Sequence, residues 1–149
     1  WIAKLRDYQA GHPIEMKIMF CHDGSELSQQ ALEKTIGFFS KERPEIILIS
    51  VAEWPQGGTA ADESAFSGGG RSEHHSVLMK AARRVSKLGY DVDAILAVGD
   101  VRKMILETVA SKNPDILVAA KTGCPDAYSP ESVSAYLICH APCPVLVFH

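Results

Sequence analysis

Residue types suited to holding phosphate are concentrated in the stretch VAAKTGCPDAYSPESVSAY, residues 118–136. The stretch leaves an apolar run, passes Lys121 and Gly123, and reaches a Ser-Val-Ser before the chain turns helical again. Loops between a strand and a helix bind anions, because free backbone N–H groups and the helix dipole point outward there. Glu131 occupies a place where such a loop favours glycine. The spacing therefore indicates an anion-binding loop whose phosphate end is altered.

Three other motifs would indicate a different chemistry, but the sequence supports each of them less well. The tripeptide KTG at 121–123 also occurs in serine β-lactamases, but that chemistry needs a Ser-x-x-Lys nucleophile, which this sequence lacks. A Gly-x4-Gly-Lys-[Ser/Thr] nucleotide loop is absent from the sequence as well. Cys139, His140 and Cys143 could suggest zinc ligands, yet they straddle a Pro-rich turn that suits a helix end. We expect these two thiols to pack as small apolar groups, and we predict no metal site.

Two further thiols lie near the predicted loop or strand ends. Cys21 falls inside an apolar run, so we predict a buried and inert thiol. Cys124 lies on the loop beside Lys121, where oxidation is conceivable. A passive loop thiol is the favoured interpretation of Cys124.

Composition narrows the class of protein. The 149 residues suffice for one domain, and 46% apolar with 22% charged residues is typical of globular proteins. The formal net charge is -3 and no Lys/Arg block occurs, so we expect no nucleic-acid partner. No apolar run approaches the ~20 residues that span a bilayer, and we expect no membrane insertion. With no signal-peptide pattern and four cysteines of reduced type, we predict a cytoplasmic protein.

Short apolar runs alternate with helical periodicity along the chain. The runs predict strands that are covered on both faces, at 17–22, 45–53, 91–99, 115–120 and 144–149. Between them, apolar residues recur at helical spacing: Leu27, Ala31, Leu32, Ile36 and Phe39; Val77, Leu78, Ala81, Val85 and Leu88; Val101, Ile105, Leu106 and Val109; Val133 and Leu137. This order predicts an α/β fold, a three-layer sandwich with a five-stranded parallel sheet and right-handed crossovers.

Local signals predict where the helices begin and end. Ser25 and Asp100 can cap the first and third helices, Gly89 can close the second, and Pro114 stops the third. Residues 55–73 are predicted to form a flexible polar loop, with 57–72 mobile. In this fold class the ligand crevice lies at the carboxyl ends of the strands. Four segments reach that edge: 22–25, 51–54, 98–101 and 119–123.

The first fifteen residues, WIAKLRDYQAGHPIE, stand apart from the predicted domain. We interpret 1–15 as an N-terminal extension or linker. Apolar residues at roughly helical spacing leave open a helix that joins this domain to another one upstream. The predicted domain itself covers 16–149.

Three segments of the domain resemble the universal stress protein family. They are HDGSELSQQALEKT (22–35), GDVRKMILETVASKNPDILV (99–118) and SVSAYLICHAPCPVLVF (132–148). The resemblance implies a Rossmann-like, adenine-nucleotide-hydrolase-like fold with a five-stranded parallel sheet. It also implies a homodimer that pairs through the last strand, Val145–Phe148, and leaves any further protein partner unknown.

The resemblance also implies where a nucleotide would bind. Family members that bind ATP carry Gly-x2-Gly-x9-Gly-[Ser/Thr], whereas this chain has Ala120, a loop two residues shorter, and Glu131 in place of the last glycine. The residues at the nucleoside end of the site therefore match the family pattern better than those at the phosphate end. The candidate nucleotide-binding residues are Asp23, Val51, Lys121, Gly123, Ser132, Val133 and Ser134.

These features predict a non-catalytic regulatory domain of the stress response that acts by dimerisation or partner binding. We expect no firmly bound cofactor, with AMP or ATP binding weakly. One alternative is a functional ATP- or AMP-binding protein, with slow ATP hydrolysis. Another is a cytosolic regulatory module of a larger protein such as a transporter.

Overall fold

The computed structural model describes residues 16–53, 70–121 and 132–148. In these ranges strands and helices alternate as predicted, and the strands end within one residue of their predicted bounds. The elements are β1 (Lys17–Cys21), α1 (Glu26–Phe38), β2 (Glu45–Ala52), α2 (Gly70–Lys87), β3 (Val92–Val98), α3 (Val101–Lys112), β4 (Ile116–Ala120), α4 (Val133–His140) and β5 (Val145–Phe148).

The strands form one parallel sheet in the order β3-β2-β1-β4-β5. From β1 the chain proceeds to β2 on one side, whereas from β4 it proceeds to β5 on the other side. The direction of the connections therefore reverses between β1 and β4. In open α/β sheets, ligands bind beyond the carboxyl ends of the strands at this place.

Helices cover both faces of the sheet, because alternate residues of each strand point to opposite sides. Ile18 and Phe20 of β1 pack in one core with α1 and α2. Met19, between them in sequence, packs on the other face with α3 and α4. The predicted three-layer sandwich is thus confirmed.

The helix ends follow the local signals in the sequence. Ser25 caps α1 by accepting from the Ser28 N–H at 3.1 Å, and Asp100 caps α3 by accepting from the Lys103 N–H at 2.9 Å. Asn113 adopts the left-handed conformation that closes α3 before Pro114. Gly89, with φ of 85°, follows α2 as predicted. Side chains thus satisfy the first N–H groups of α1 and α3.

Three predictions about the helices are wrong in part. Leu27 was expected on the buried face of α1 but is 50% exposed, while Ser28 is buried and donates from Oγ to the Cys21 carbonyl. Leu88 is 57% exposed because α2 ends at Lys87, before it. In addition, α2 begins at Gly70, within the predicted loop. Glu73 lies in its first turn, where a carboxylate stabilises the helix dipole.

Several predictions fall on residues outside the described ranges. They concern the extension at 1–15, most of the polar loop at 55–73, and the loop from 122 to 131. Among the described helices, none is long and apolar enough to cross a membrane.

Candidate functional site

A cavity of about 360 Å³ opens at the carboxyl edge of the sheet, where the strand order reverses. The ends of β1, β2 and β4 and the first turns of α1, α3 and α4 build this carboxyl-edge cavity. All four segments that were predicted to reach this edge contribute to it. Its lining residues are Cys21, His22, Asp23, Ser28, Ile49, Val51, Val101, Ile105, Ala119, Ala120, Ser132, Val133 and Ser134.

The turn between β1 and α1 places Asp23 at the cavity. Asp23 Oδ1 accepts hydrogen bonds from the Ser25 N–H at 2.9 Å and from the Ser25 hydroxyl at 2.7 Å. Gly24 has φ of 88°, a backbone conformation that residues other than glycine rarely adopt. The helix cap and the carboxylate are therefore parts of one hydrogen-bonded turn.

The floor of the cavity is apolar. Ile49 and Val51 of β2 lie two residues apart and so point to the same face of the sheet. Val101 and Ile105, one helical turn apart on α3, close that side. Such a surface favours a ligand that has a flat apolar ring, with its polar atoms at the rim of the cavity.

The N-terminus of α4 provides the polar wall opposite. Ser132 is the N-cap, and its Oγ accepts from the Ala135 N–H at 3.4 Å and lies 3.0 Å from Ser134 Oγ. The first N–H groups of a helix have no intrahelical acceptors. Together with two hydroxyls, they form a surface that is suited to an anionic or hydroxyl-rich group.

The structure brings five of the seven predicted site residues to this cavity, which are Asp23, Val51, Ser132, Val133 and Ser134. Lys121 is described but is not part of the lining, and its N–H donates to the Phe148 carbonyl at 2.8 Å. Gly123 lies outside the described residues. The role of all seven in binding stays a prediction.

Ala120, which replaces the first glycine of the motif, ends β4 and lines the cavity. Among the described non-glycine residues, positive φ occurs at Arg43 and Asn113 and not at Ala120. Alanine therefore fits this backbone without strain, and the cost of losing the glycine is limited to the space that the methyl group occupies.

Two titratable groups of β1 and its turn are held in their neutral forms. Burial raises the pKa of the Cys21 thiol to about 12, with smaller contributions from Asp23 and Cys143. Burial also lowers the pKa of His22, although the side chains of Gln29 and Asp23 oppose the decrease. Cys21 is half-buried at the cavity rather than fully buried as predicted, and its raised pKa supports the predicted inert character.

Sequence reasoning did not single out several lining residues. Val101 lay in a segment that was predicted to reach the carboxyl edge, but Ile49 and Ile105 were identified only as strand or helix core. Their spacing relative to Val51 and Asp100 could have placed them at the carboxyl edge. Ser28 gave no such signal, because it is a small polar residue whose burial in the first turn of α1 depends on which face of the helix packs on the sheet.

The Cys139–Cys143 segment shows no metal-binding arrangement. Within the described ranges, no group of three or more histidine, cysteine or acidic side chains is placed to hold a metal ion. Cys143 packs against the α3–α4 core as expected, but Cys139 is exposed, because it lies on the outer side of α4.

Comparisons with known proteins bear on the whole domain. The model of the universal stress protein family matches residues 16–149. Among solved structures, UspA from Lactobacillus plantarum is 16% identical, with a TM-score of 0.77 over 91% of this chain and 98% of that chain. A family protein from Arabidopsis thaliana with AMP bound is 21% identical, with a TM-score of 0.70 over 89% and 90%. A universal stress protein from Archaeoglobus fulgidus in complex with dAMP is 18% identical, with a TM-score of 0.65 over 91% and 99%.

At these identities the solved structures establish the fold. No curated protein matches the chain significantly. The family model spans every element from β1 to β5 and all the residues that line the carboxyl-edge cavity. The chain therefore belongs to the universal stress protein family.

Proposed function

We propose that this domain is a regulatory, non-catalytic module whose carboxyl-edge cavity takes the nucleoside end of an adenine nucleotide. Adenosine and AMP are the preferred ligands, and ATP binds more weakly. The observation that carries this proposal is the meeting of Asp23, Val51 and the N-terminus of α4 around one cavity. Binding of the nucleotide in the cavity would be the regulatory event, and it would act by changing dimerisation or the binding of a protein partner.

Size and chemistry both suit a nucleoside. The volume of about 360 Å³ is within the range of small-molecule sites. A purine ring would lie on the apolar floor of Ile49, Val51 and Ile105, with a carboxylate at one rim and serine hydroxyls at the other. Relatives of the same fold that were solved with AMP and dAMP support this class of ligand.

The phosphate end is the weaker half of the proposed site. Glu131 directly precedes the α4 cap in sequence, and its carboxylate would repel a phosphate. At a separation of ~4 Å this repulsion is ~1 kcal/mol in water-like surroundings and ~4 kcal/mol at an effective dielectric constant near 20. The corresponding loss of ATP affinity is ~5-fold to ~1000-fold. Adenosine, which has no phosphate, escapes this penalty.

Calorimetry with adenosine, AMP and ATP tests the proposal on three chains. The wild type is compared with Glu131→Gln, which removes the charge at constant size, and with Glu131→Gly, which also frees the backbone. We expect both substitutions to improve ATP binding at least ~5-fold and to leave adenosine binding unchanged. Further improvement is expected when two residues are also added between Cys124 and Pro130. Adenosine that fails to bind the wild type would refute the proposal.

Slow ATP hydrolysis is a second candidate function, favoured by the paired hydroxyls of Ser132 and Ser134 at the α4 N-terminus. In that case the short loop and Lys121 would hold the phosphates in a rearranged cradle. Tight, magnesium-dependent ATP binding with measurable phosphate release, lost in a Ser132→Ala and Ser134→Ala double variant, would establish it in place of the first.

We also propose that two copies pair through β5. This strand is at the edge of the sheet, where Leu117 N–H donates to the Pro144 carbonyl and Lys121 N–H to the Phe148 carbonyl. Because bonded positions alternate along a strand, Val145 and Val147 direct their N–H and C=O groups outward. Antiparallel pairing about a two-fold axis would satisfy these groups and remove an apolar edge.

A further inference from the structure

Two side chains hold the turn that leads from β1 into α1. The Gly24 N–H donates to His22 Nδ1 at 3.2 Å, and the next N–H, that of Ser25, donates to Asp23 Oδ1 at 2.9 Å. Ser25 Oγ in turn accepts from the Ser28 N–H at 3.1 Å. The imidazole thus holds the Gly24 amide of a turn whose following residues are held by hydrogen bonds among Asp23, Ser25 and Ser28.

The hydrogen bond from Gly24 assigns the protonation state of His22. Because Nδ1 accepts, the ring is neutral and carries its proton on Nε2. The side chain is 4% exposed, and Nε2 makes no standard hydrogen bond with any described residue. A second proton would make Nδ1 a donor, directed at another donor, the Gly24 N–H. The hydrogen bond from Gly24 to His22 therefore exists only while the imidazole is neutral.

The surroundings of His22 offer little compensation for a positive charge. Among the described residues, Asp23 in the same turn and the side chain of Gln29 on α1 are the groups that favour the charged form. On the same side of the sheet, Ser50 of β2 is bonded to the titratable His74 of α2, with 3.0 Å between Ser50 Oγ and His74 Nδ1. On the neighbouring strand β4, Ala119 pairs with Cys21 and the uncharged Ala120 ends the strand. Burial opposes protonation and lowers the pKa of His22, so the neutral form is the resting one.

We propose that His22 is a positioning residue for the nucleoside end of the cavity. Its neutral imidazole holds the Asp23–Ser25 turn through the Gly24 N–H, and protonation releases that turn and weakens nucleoside binding. The part that concerns the ligand rests on the proposed function. The part that concerns the turn stands on the hydrogen bonds alone, and a backbone signal can report it without any ligand.

The test follows the Gly24 amide by ¹⁵N–¹H NMR between about pH 5 and 8, alongside calorimetry with adenosine. In the wild type we expect the Gly24 signal to shift together with the His22 ring as the pH falls, and its hydrogen exchange to accelerate. Adenosine affinity should fall over the same interval by about 2- to 12-fold, the equivalent of one hydrogen bond.

Three variants separate positioning from a general structural role. His22→Asn keeps a neutral acceptor two residues before Gly24, so near-wild-type affinity without the pH dependence is expected. His22→Leu removes the acceptor, and its affinity should be reduced at every pH. His75→Asn, at an exposed position of α2, is the matched histidine control and should keep the wild-type profile.

A Gly24 signal that stays unchanged while the His22 ring titrates would overturn the proposal. This readout uses only the wild type and His22→Asn, so it holds even if the leucine variant fails to fold. If adenosine binds with the same affinity in all four proteins at every pH, the nucleoside part is refuted. If adenosine binds to none of them, the proposed function and the nucleoside part fail together, while the Gly24 signal still decides whether His22 holds the turn.

Discussion

Replacing Val147 by proline is expected to separate two paired copies without unfolding either one. The reason lies in the hydrogen-bond pattern of β5. The carbonyl groups of Pro144 and Phe148 accept from β4, so the alternate positions, Val145 and Val147, present their backbone groups to the open edge. Proline at 147 therefore deletes a donor that the sheet of its own chain does not use.

The size of the effect follows from the same geometry. If the two-fold axis lies at Leu146, Val145 of one copy faces Val147 of the other and exchanges two hydrogen bonds with it. Proline removes one donor from each copy, and each lost bond costs about 0.5–1.5 kcal/mol net. Association should weaken by about 1–3 kcal/mol, or roughly 5- to 150-fold in Kd.

Sedimentation velocity over a series of micromolar concentrations measures this change. Val147→Thr is the matched control, because it keeps the N–H and the branched shape, and it should remain dimeric. Far-ultraviolet circular dichroism should show the same fold in all three proteins. A wild type that is monomeric at tens of micromolar, or a proline variant that is as dimeric as the wild type, would refute pairing through β5.

Three further predictions concern single side chains. Asp100→Ala should lower the free energy of unfolding by about 1 kcal/mol through loss of the α3 cap, and Asp100→Asn by much less, as measured by urea denaturation. Iodoacetamide should alkylate the exposed Cys139 in the native protein but leave Cys21 unmodified. The reason is that a pKa of about 12 leaves roughly one Cys21 thiol in ten thousand ionised at about pH 8. Equal labelling of the two residues, measured by mass spectrometry, would contradict this. Because the pKa of His22 is lower in the folded state, the unfolded chain takes up a proton at higher pH, so the free energy of unfolding should fall as the pH drops below 6.5. This dependence of stability on pH should be weaker in His22→Asn. An unchanged dependence in that variant would count against a buried neutral imidazole.

The sequence predicted those features of the fold that depend on neighbouring residues. Ser25 and Asp100 cap their helices as expected, because a cap needs only a side chain and the N–H groups of the next turn. The alternation of strands and helices could be predicted equally well, because strands that are covered on both faces are apolar along their whole length. The cavity at the carboxyl edge followed from that alternation.

Features that depend on tertiary packing were less predictable. Leu27 fits the apolar spacing of α1, yet it is half exposed, because the buried face of the helix contains Ser28 and Thr35 instead. Lys121 is next to the predicted loop in sequence, but its backbone is bonded to Phe148 of a strand that is distant in sequence. The hydrogen bond from Gly24 to His22 gave no signal in the sequence, because it depends on the conformation of the turn.

A titration followed by ¹⁵N–¹H NMR decides whether the carboxyl-edge cavity binds the nucleoside. Adenosine is added to the wild type, and magnesium ATP is added in a parallel series. We expect adenosine to shift the amide signals of Asp23, Val51 and Ser134, and ATP to shift the same signals only at higher concentration. Shifts confined to other parts of the chain, or magnesium ATP that saturates these signals at lower concentration than adenosine, would refute nucleoside binding at this cavity.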